Sequence, residues 1–394
     1  MSWPKFPFRT ALCLMISLLA CLGTIIGLRF VSPRQPEPTP FVIREIPEGV
    51  VDISFRHAKR YPVDPGARLL LIPHHLVAGR EITSLLTSVP TKKRVLLLSP
   101  DHFSIGKQAL STTNRPFDWN GNTIRPDPSL SNQFLTAHPQ ALRLQDSVFE
   151  REHGVRGLIP FLAEAWPKAT VNVMTVRNDA STSTLNALSD QLHKLLEAGP
   201  DLIIVVTIDF SHELPAYLAD LHDAQAIGHL EARNAEAFRR VEIDSPPLFF
   251  LLSKLAEQQN VRLTVQAQTN SLRLMYASTT ELGTSHALMS SEPGLATTNS
   301  QRFVFFHDPT RAIQSSEDRA YRGYDEVREA RIPFETVFVQ EIHPDRILWH
   351  ALPLQRTTNK TWELVSDQQF AALTNNRRTW EAWAAENLSK GVSE

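Results

Sequence analysis

The stretch that decides the fold is Leu202-Ile203-Ile204-Val205-Val206-Thr207-Ile208-Asp209-Phe210-Ser211-His212, where an aliphatic run leads directly into an acid and a histidine. Residues 69–72 and 95–98 are similar runs, followed by Pro73-His74-His75 and Ser99-Pro100-Asp101-His102. Such runs are typical of parallel strands buried on both faces. Ligands bind beyond the carboxyl ends of strands in open α/β sheets, so the residues after the three runs are predicted to meet. The pattern predicts one metal site built from strand ends.

Predicted strands and helices alternate along the chain, which indicates a sheet covered by helices. The predicted fold class is α/β, with a mixed, mostly parallel central sheet flanked by helices. Residues 113–128 are predicted to be polar and irregular. The predicted strands are 68–73, 94–99, 170–176, 202–208, 261–268, 273–278 and 284–290, and the predicted helices are 78–88, 129–138, 154–165, 181–197, 216–240 and 246–258.

Composition limits the classes of function. The 394 residues are 42% hydrophobic and 21% charged, enough for one large core and an appendage. The net charge is −2 and basic residues are scattered, so no nucleic-acid partner is predicted. Both cysteines, Cys13 and Cys21, lie in an apolar N-terminal stretch, which leaves the folded part without a thiolate ligand. Neither a glycine-rich phosphate loop nor a serine-hydrolase elbow is present in the sequence.

The N-terminus is predicted to hold the protein at a membrane. Residues 11–28 carry no charge and are about long enough to cross a bilayer, so residues 1–31 are predicted to be a signal anchor or transmembrane helix. A cleaved signal peptide is the alternative, as is lipidation at Cys21. Lys5 and Arg9 favour a cytoplasmic N-terminus. The predicted location is the bacterial inner membrane, single-pass, with the main domain periplasmic or extracytoplasmic.

Composition also divides the rest of the chain. Residues 32–40 contain four prolines and are predicted to form an extended linker. Residues 41–309 are predicted to form the main α/β domain. Residues 310–394 are a C-terminal extension of unassigned role, with a predicted strand at 336–342 and a predicted helix at 367–387.

The order of the polar motifs resembles the MEMO family, which includes the bacterial AmmeMemoRadiSam system protein B and is similar in fold to class III extradiol, LigB-type dioxygenases. The resemblance covers roughly residues 69–290, and its most specific piece is Asp-Phe-Ser-His at 209–212. The motifs that carry it are Pro73-His74, Pro100-Asp101-His102, Glu152-His153 before a helix, Asp209 to His212, and the small residues Thr284 to Ala287.

The resemblance implies a metal held by His74, His102 and one residue further along the chain. Many relatives use a cysteine there, but this chain has none in the comparable segment, 242–247. Asp244 is the predicted substitute and Glu242 its rival. Two histidines and a carboxylate suit Fe(II), the favoured cofactor. Zinc accepts the same donors, and copper is a further alternative.

The resemblance also implies residues that move protons. His212 is the predicted acid or base, because histidine titrates near neutral pH, and Asp209 is predicted to orient it. Glu152 and His153 are further catalytic candidates, although an acid at a helix start also interacts favourably with the helix dipole. His75 is the lesser ligand candidate beside His74. His286 stands where relatives commonly have tyrosine and is a candidate pocket residue.

Three functional hypotheses follow. The first is a membrane-anchored metal-binding protein that acts as a Fe(II)-dependent, dioxygenase-like oxidoreductase on a small-molecule or peptide substrate. The second is a non-catalytic module that binds a peptide or a protein partner in the same cleft. The third is a zinc-dependent hydrolase. The sequence leaves open whether the protein is an enzyme.

Overall fold

A computed structural model describes residues 38–212, 214–239, 241–275, 282–294, 302–306, 335–342, 347–356 and 362–364. The chain divides into two compact units, residues 1–39 and 40–394. The predicted anchor, most of the predicted linker and the predicted helix 367–387 lie outside the described residues. Within the described ranges, no helix is both long enough and apolar enough to cross a membrane.

The strands are numbered in chain order. They are β1 (Phe41–Val42), β2 (Leu69–Ile72), β3 (Arg94–Pro100), β4 (Leu110–Thr112), β5 (Phe117–Trp119), β6 (Asn122–Ile124), β7 (Leu142–Leu144), β8 (Thr170–Val176), β9 (Leu202–Thr207), β10 (Leu214–Pro215), β11 (Val261–Asn270), β12 (Leu282–Gly283), β13 (Ser285–Pro293), β14 (Arg302–Phe306), β15 (Glu335–Ile342), β16 (Ile347–Arg356) and β17 (Trp362–Leu364).

The helices are numbered likewise, and two short 3₁₀ helices span Leu76–Ala78 and Ala235–Arg239. The α-helices are α1 (Glu48–Arg56), α2 (Gly79–Ser88), α3 (Pro128–Ala137), α4 (Asp146–Phe149), α5 (His153–Arg156), α6 (Ile159–Ala165), α7 (Thr182–Ala198), α8 (Ala216–Glu231), α9 (Pro246–Gln258) and α10 (Ser271–Leu274).

Eight strands form the central sheet, in the order β11-β13-β2-β9-β3-β8-β4-β7. The four adjacent strands β2, β9, β3 and β8 run parallel to one another. The pairs β11-β13, β13-β2 and β4-β8 are antiparallel, and β4-β7 is parallel. The protein therefore has a mixed α/β fold, and its parallel strands lie together in the middle of the sheet.

Side chains alternate along each central strand between two hydrophobic cores, one on each face of the sheet. In β2, Leu69 and Leu71 enter one core, while Leu70 and Ile72 enter the other. Helices α3, α7, α8 and α9 contribute to the first core, and α1, α2 and α6 contribute to the second. Burial on both faces explains why these strands are continuously aliphatic.

The prediction that residues 113–128 are irregular is wrong in part, because this region contains a β-hairpin. Strands β5 and β6 are antiparallel, and β1 pairs in parallel with β5. The turn residues Asn120 and Gly121 have φ angles of 51° and 79°. Asn-Gly readily adopts positive φ at both positions, which is what a tight type I′ hairpin turn requires.

Two predicted helices are each interrupted. The helix predicted at 154–165 divides into α5 and α6, because Pro160 is tolerated only in the first turn of a helix. The helix predicted at 216–240 ends at Glu231, where Arg233 takes a φ of 54° and breaks the helical path before a 3₁₀ helix. The strand predicted at 273–278 is wrong over its first residues, which belong to α10, and residues 276–278 are outside the described ranges.

A separate antiparallel sheet, of order β14-β15-β16-β17, lies mostly in the C-terminal extension. Its strand β15 agrees with the strand predicted at 336–342, and begins one residue earlier. Strand β14 comes before residue 310, so this sheet crosses the domain boundary predicted from composition.

Candidate metal centre

The central sheet brings three polar strand ends together. Strands β2, β9 and β3 are adjacent and parallel, so their carboxyl ends lie at one edge. His74, Asp209 and His102 follow these three strands, and all three line one cavity. The three strands that carry the polar motifs are neighbours in the sheet. Their polar ends therefore meet, as the sequence predicted.

Asp244 lies at the meeting point of two imidazole rings. Its Oδ2 atom is 3.3 Å from Nε2 of His74 and 3.4 Å from Nε2 of His102. Good N–H···O hydrogen bonds are usually 2.7 to 3.2 Å long, so both distances are long for hydrogen bonds. Two atoms bound to one ion at about 2.1 Å are separated by about 3.0 to 3.4 Å, depending on coordination angle. The spacing therefore suits co-ligands of one ion.

The backbone holds Asp244 over the strand ends. Its N–H donates to the carbonyl of Asp209 at 3.2 Å, and its own carbonyl accepts from Nδ2 of Asn178 at 3.2 Å. The rival Glu242, two residues away, is exposed. The structure thus brings Asp244, and not Glu242, to the histidines; its role as a metal ligand stays a prediction.

Hydrogen bonds behind the two histidines turn both Nε2 atoms toward the same point. Nδ1 of His74 is 3.1 Å from Oγ1 of Thr207, and Nδ1 of His102 is 2.7 Å from Oε1 of Glu152. A histidine that donates from one ring nitrogen presents a lone pair at the other, which is how ligating imidazoles are usually fixed. Both side chains are therefore oriented as ligands before any ion binds.

The residues present fit a metal ion. Oδ1 of Asp244 is buried and has no hydrogen-bond partner among the described residues, a costly arrangement for a carboxylate. Three groups of side chains in the described ranges have ligand atoms within 4.8 Å of one another. These groups are His74, His102 and His153; His74, Asp209 and Asp244; and His75, Asp209 and His286.

The ionisable side chains of the cluster shift one another's pKa values. Burial disfavours protonation of His102, but the nearby carboxylates of Asp244 and Glu152 outweigh burial and raise its pKa to about 9. Burial also disfavours ionisation of Asp209, but His74 and His212 hold the pKa of that carboxyl well below its usual range. The neighbouring carboxylates thus favour the charged form of His102, and the neighbouring imidazoles favour the charged form of Asp209.

Glu152 lies behind His102 and not in the cleft. Its side chain is 0% exposed, and its carboxylate accepts from the backbone N–H groups of His102 at 3.0 Å and Gly154 at 2.9 Å. The second bond caps α5. Burial raises the pKa of Glu152, but contacts with His102 outweigh it and lower that pKa. Glu152 positions a predicted ligand and cannot reach a substrate.

His153 and His212 face the cavity. The His153 ring lies 4.1 Å from the His102 ring, and burial with the neighbouring His102 and His74 lowers its pKa to about 4. The His212 side chain is 42% exposed, and its Nε2 is 3.9 Å from Oδ2 of Asp209. Asp209 raises the pKa of His212. The predicted acid or base is therefore accessible, and Asp209 is near enough to influence its charge but too distant for a hydrogen bond.

The cavity over this cluster has a volume of about 880 Å³. Phe103 and Val77 line it and are 50% and 37% exposed, which gives the cavity apolar walls. The guanidinium of Arg151 lies 5.7 Å from the Phe103 ring centre. A small organic molecule fits this volume, since ligand pockets usually measure about 300 to 1,000 Å³.

A second histidine pair lies beside the first cluster. Nδ1 of His75 is 3.0 Å from Nε2 of His286, and His286 is 0% exposed. Burial lowers the pKa of both, to about 4 for His286. The sequence identified both residues but not their contact. They are 211 positions apart, and only the pairing of β13 with β2 brings them together.

Residues 54–244 match the family model described as Memo-like protein. Residues 54–244 are therefore a Memo-like region. The matched residues include every predicted metal ligand and catalytic candidate, and the Memo-like region ends at Asp244. The resemblance found in the sequence is thereby confirmed at the level of the family.

Among solved structures, the chain is similar to the crystal structure of the uncharacterized protein JW3007 from Escherichia coli K12. The sequence identity is 12% and the TM-score is 0.39, and the match covers 57% of the present chain and 99% of the other. No curated protein matches the chain.

Proposed function

We propose that the Memo-like region is a metal-dependent enzyme domain that binds its ion through His74, His102 and Asp244. The observation that carries this proposal is the position of Oδ2 of Asp244, 3.3 Å from Nε2 of His74 and 3.4 Å from Nε2 of His102. The buried, unpartnered Oδ1 atom of Asp244 supports it, because an ion would compensate that atom.

Fe(II) is the favoured ion. Two histidines and one carboxylate leave coordination positions open, and this donor set suits non-haem iron and oxygen chemistry. Bound Fe(II) supplies Lewis-acid activation and a template on which two reactants are brought together. Zinc and copper are the alternatives, and a zinc ion on the same residues would make the protein a hydrolase.

The chain supplies the remaining functions of the site. Nε2 of His212 lies beyond hydrogen-bond distance from Asp209, so it is free to exchange a proton with a bound molecule. The Asp209 carboxylate accepts a hydrogen bond from the backbone N–H of His74 at 3.0 Å, which fixes the carboxylate beside that residue. Phe103 and Val77 shield one side of the bound molecule from water.

Metal analysis of the full-length chain tests the ligand set. Protein purified without oxygen should contain iron in a fixed ratio to the chain. His74→Ala, His102→Ala and Asp244→Ala should each lose it, because each removes one of three donors. Glu242→Ala is the matched control and should retain it. Retention of the metal in Asp244→Ala together with its loss in Glu242→Ala would contradict the proposed ligand set.

Oxygen consumption separates the proposed oxidoreductase from a hydrolase. Iron-loaded protein should consume oxygen with at least one member of a catechol panel, and His212→Ala should slow turnover while keeping its iron. Turnover that continues without oxygen in zinc-loaded protein would favour the hydrolase instead.

A second candidate function is a binding module without turnover, acting on a peptide or a protein partner. The exposed Phe103 and Val77 at the cavity favour it, because apolar side chains at a cleft mouth are common in binding sites. Peptide binding that survives both His74→Ala and His102→Ala, with no reaction under any metal, would favour this function.

We also propose that residues 1–31 anchor the protein in the inner membrane with the Memo-like region outside the cytoplasm. The uncharged stretch 11–28 supports this. The full-length chain should stay in bacterial membranes after alkaline extraction, and protease should reach its main domain in spheroplasts. Release by alkali would contradict an anchor.

A further inference from the structure

The pair formed by His75 and His286, next to the proposed metal ligands, has an orientation that the structure can assign. Nδ1 of His286 is buried and has no hydrogen-bond partner among the described residues, whereas its Nε2 is 3.0 Å from Nδ1 of His75. A neutral imidazole carries one hydrogen, and a buried donor without an acceptor is costly. The hydrogen of His286 therefore belongs on Nε2, where it is donated to His75.

That donation fixes the second ring. Nδ1 of His75 accepts the hydrogen bond, so the hydrogen of His75 must lie on its Nε2. His75 is half-buried and lines the cavity, and its Nδ1 edge faces the fully buried His286. Among the described residues, no side chain accepts from Nε2 of His75. The pair therefore leaves an N–H group available to the cavity.

We propose that His286 is a positioning residue that holds His75 as a hydrogen-bond donor, and that this donor recognises an oxygen acceptor on an aromatic or otherwise apolar ligand. The apolar part of the ligand packs against Phe103 and Val77, which also line the cavity. This proposal rests on the proposed function only in placing the ligand in the same cleft, and it holds for turnover or for binding alone.

In this arrangement, His75 acts as a hydrogen-bond donor and not as a base. Nε2–H of His75 can stabilise a carboxylate, a phenolate or a carbonyl oxygen, but it cannot accept a proton from the ligand. Proton acceptance is left to His212, whose Nε2 lies 3.9 Å from Oδ2 of Asp209. His75 and His212 therefore have separate tasks.

Nitrogen NMR tests the orientation directly. In full-length, zinc-loaded protein labelled with nitrogen-15 histidine, long-range proton–nitrogen correlations should show the hydrogen on Nε2 of both His75 and His286. A hydrogen on Nδ1 of His75 would overturn the proposal. Because this measurement uses the unaltered chain, it does not depend on any variant folding.

Binding of benzoate, an aromatic carboxylate, tests the recognition. His75→Phe and His286→Phe should each weaken benzoate binding about threefold to tenfold, the value of one lost hydrogen bond. The double variant should bind as weakly as His75→Phe alone, since His286 acts only through His75. Strictly additive losses would overturn the proposal.

The rescue variant and the metal content separate this proposal from the alternatives. His286→Gln places an amide N–H near the original Nε2 and should retain most of the affinity for benzoate. All of these variants should keep the metal content of the parent protein. Loss of one ion in His286→Phe would mean that His75 and His286 are metal ligands, and would overturn the proposal. Metal content of His74→Ala, in contrast, tests only the proposed function and says nothing about the role of His286.

Discussion

At the scale of single residues, the site depends on a carboxylate that no ligand can touch. Glu152 accepts from three donors, the ring and backbone N–H of His102 and the backbone N–H of Gly154. These bonds fix the tautomer of His102 and the start of α5 together. Residues in such a position commonly control metal affinity through the ligand that they orient.

Glu152→Ala should therefore weaken metal binding about 10- to 100-fold, because His102 loses its orientation. Competition with a chromophoric chelator measures the change. Glu164→Ala is the control, since Glu164 is an exposed acid on the neighbouring helix α6. Equal affinities in Glu152→Ala and the parent chain would show that Glu152 serves only to cap α5.

Local sequence motifs were sufficient to predict the position of some residues of the site but not of others. His74, His102 and Asp209 each follow an aliphatic strand, so their meeting could be predicted from the sequence. Asp244 and Glu242 are both acids on one loop, and sequence alone could not decide between them. The choice depends on which way the backbone turns, and the N–H of Asp244 on the Asp209 carbonyl sets that turn.

At the scale of elements, α5 lies directly against the end of β3. A Cβ atom added at Gly154 would clash with Oγ of Ser99 and would lie 3.2 Å from Oε1 of Glu152. With any other residue at position 154, either the Ser99 side chain or the helix would have to move. The close approach of α5 to β3 keeps Glu152 within reach of His102.

Gly154→Ala should push α5 away from β3 and weaken metal binding, because the bond between Glu152 and His102 lengthens. Titration calorimetry with zinc measures the loss. Ser99→Ala in the same chain removes the clashing hydroxyl and should restore much of the affinity. Gly49→Ala is the matched control, because a Cβ at Gly49 in α1 would meet nothing within 4 Å. An unchanged affinity in Gly154→Ala would contradict this account.

The elements that the sequence predicted best are those decided by local pattern. Strand β8 and helix α9 have the predicted bounds, 170–176 and 246–258. The hairpin at 117–124 was missed although Asn120-Gly121 is a strong turn signal. The end of α8 was missed because positive φ at Arg233 has no clear sequence signal; arginine rarely adopts it.

At the scale of the whole molecule, strand order is what creates the site. β9 lies between β2 and β3, although it is far from both in sequence. This order was not predictable from local patterns, because it depends on which strands pair across the sheet. It places Asp209 between the two histidine-bearing strand ends and brings two carboxylates, those of Asp209 and Asp244, to the same histidine.

Metal should stabilise the whole fold, because a ligand that binds only the folded state shifts the unfolding equilibrium. At a free metal concentration of 100 times the dissociation constant, the gain is about 2.7 kcal/mol. Thermal unfolding with increasing zinc, after removal of metal by a chelator, should show a rising midpoint. The midpoint of His74→Ala should not respond; an equal response in this variant would place the stabilising ion elsewhere.

Strand β1 has a mechanical consequence, because it begins at Phe41, the second residue of its compact unit. The guanidinium of Arg156, at the end of α5, bonds to the Val42 carbonyl at 2.9 Å and to the carboxylate of Glu45. Tension on the chain at residue 40 would therefore pass through β1 and Arg156 into α5, the helix that begins with His153. These contacts connect the cavity to the start of β1. A pull on the chain near residue 40 would therefore act on His153 and on the part of the cavity that His153 lines.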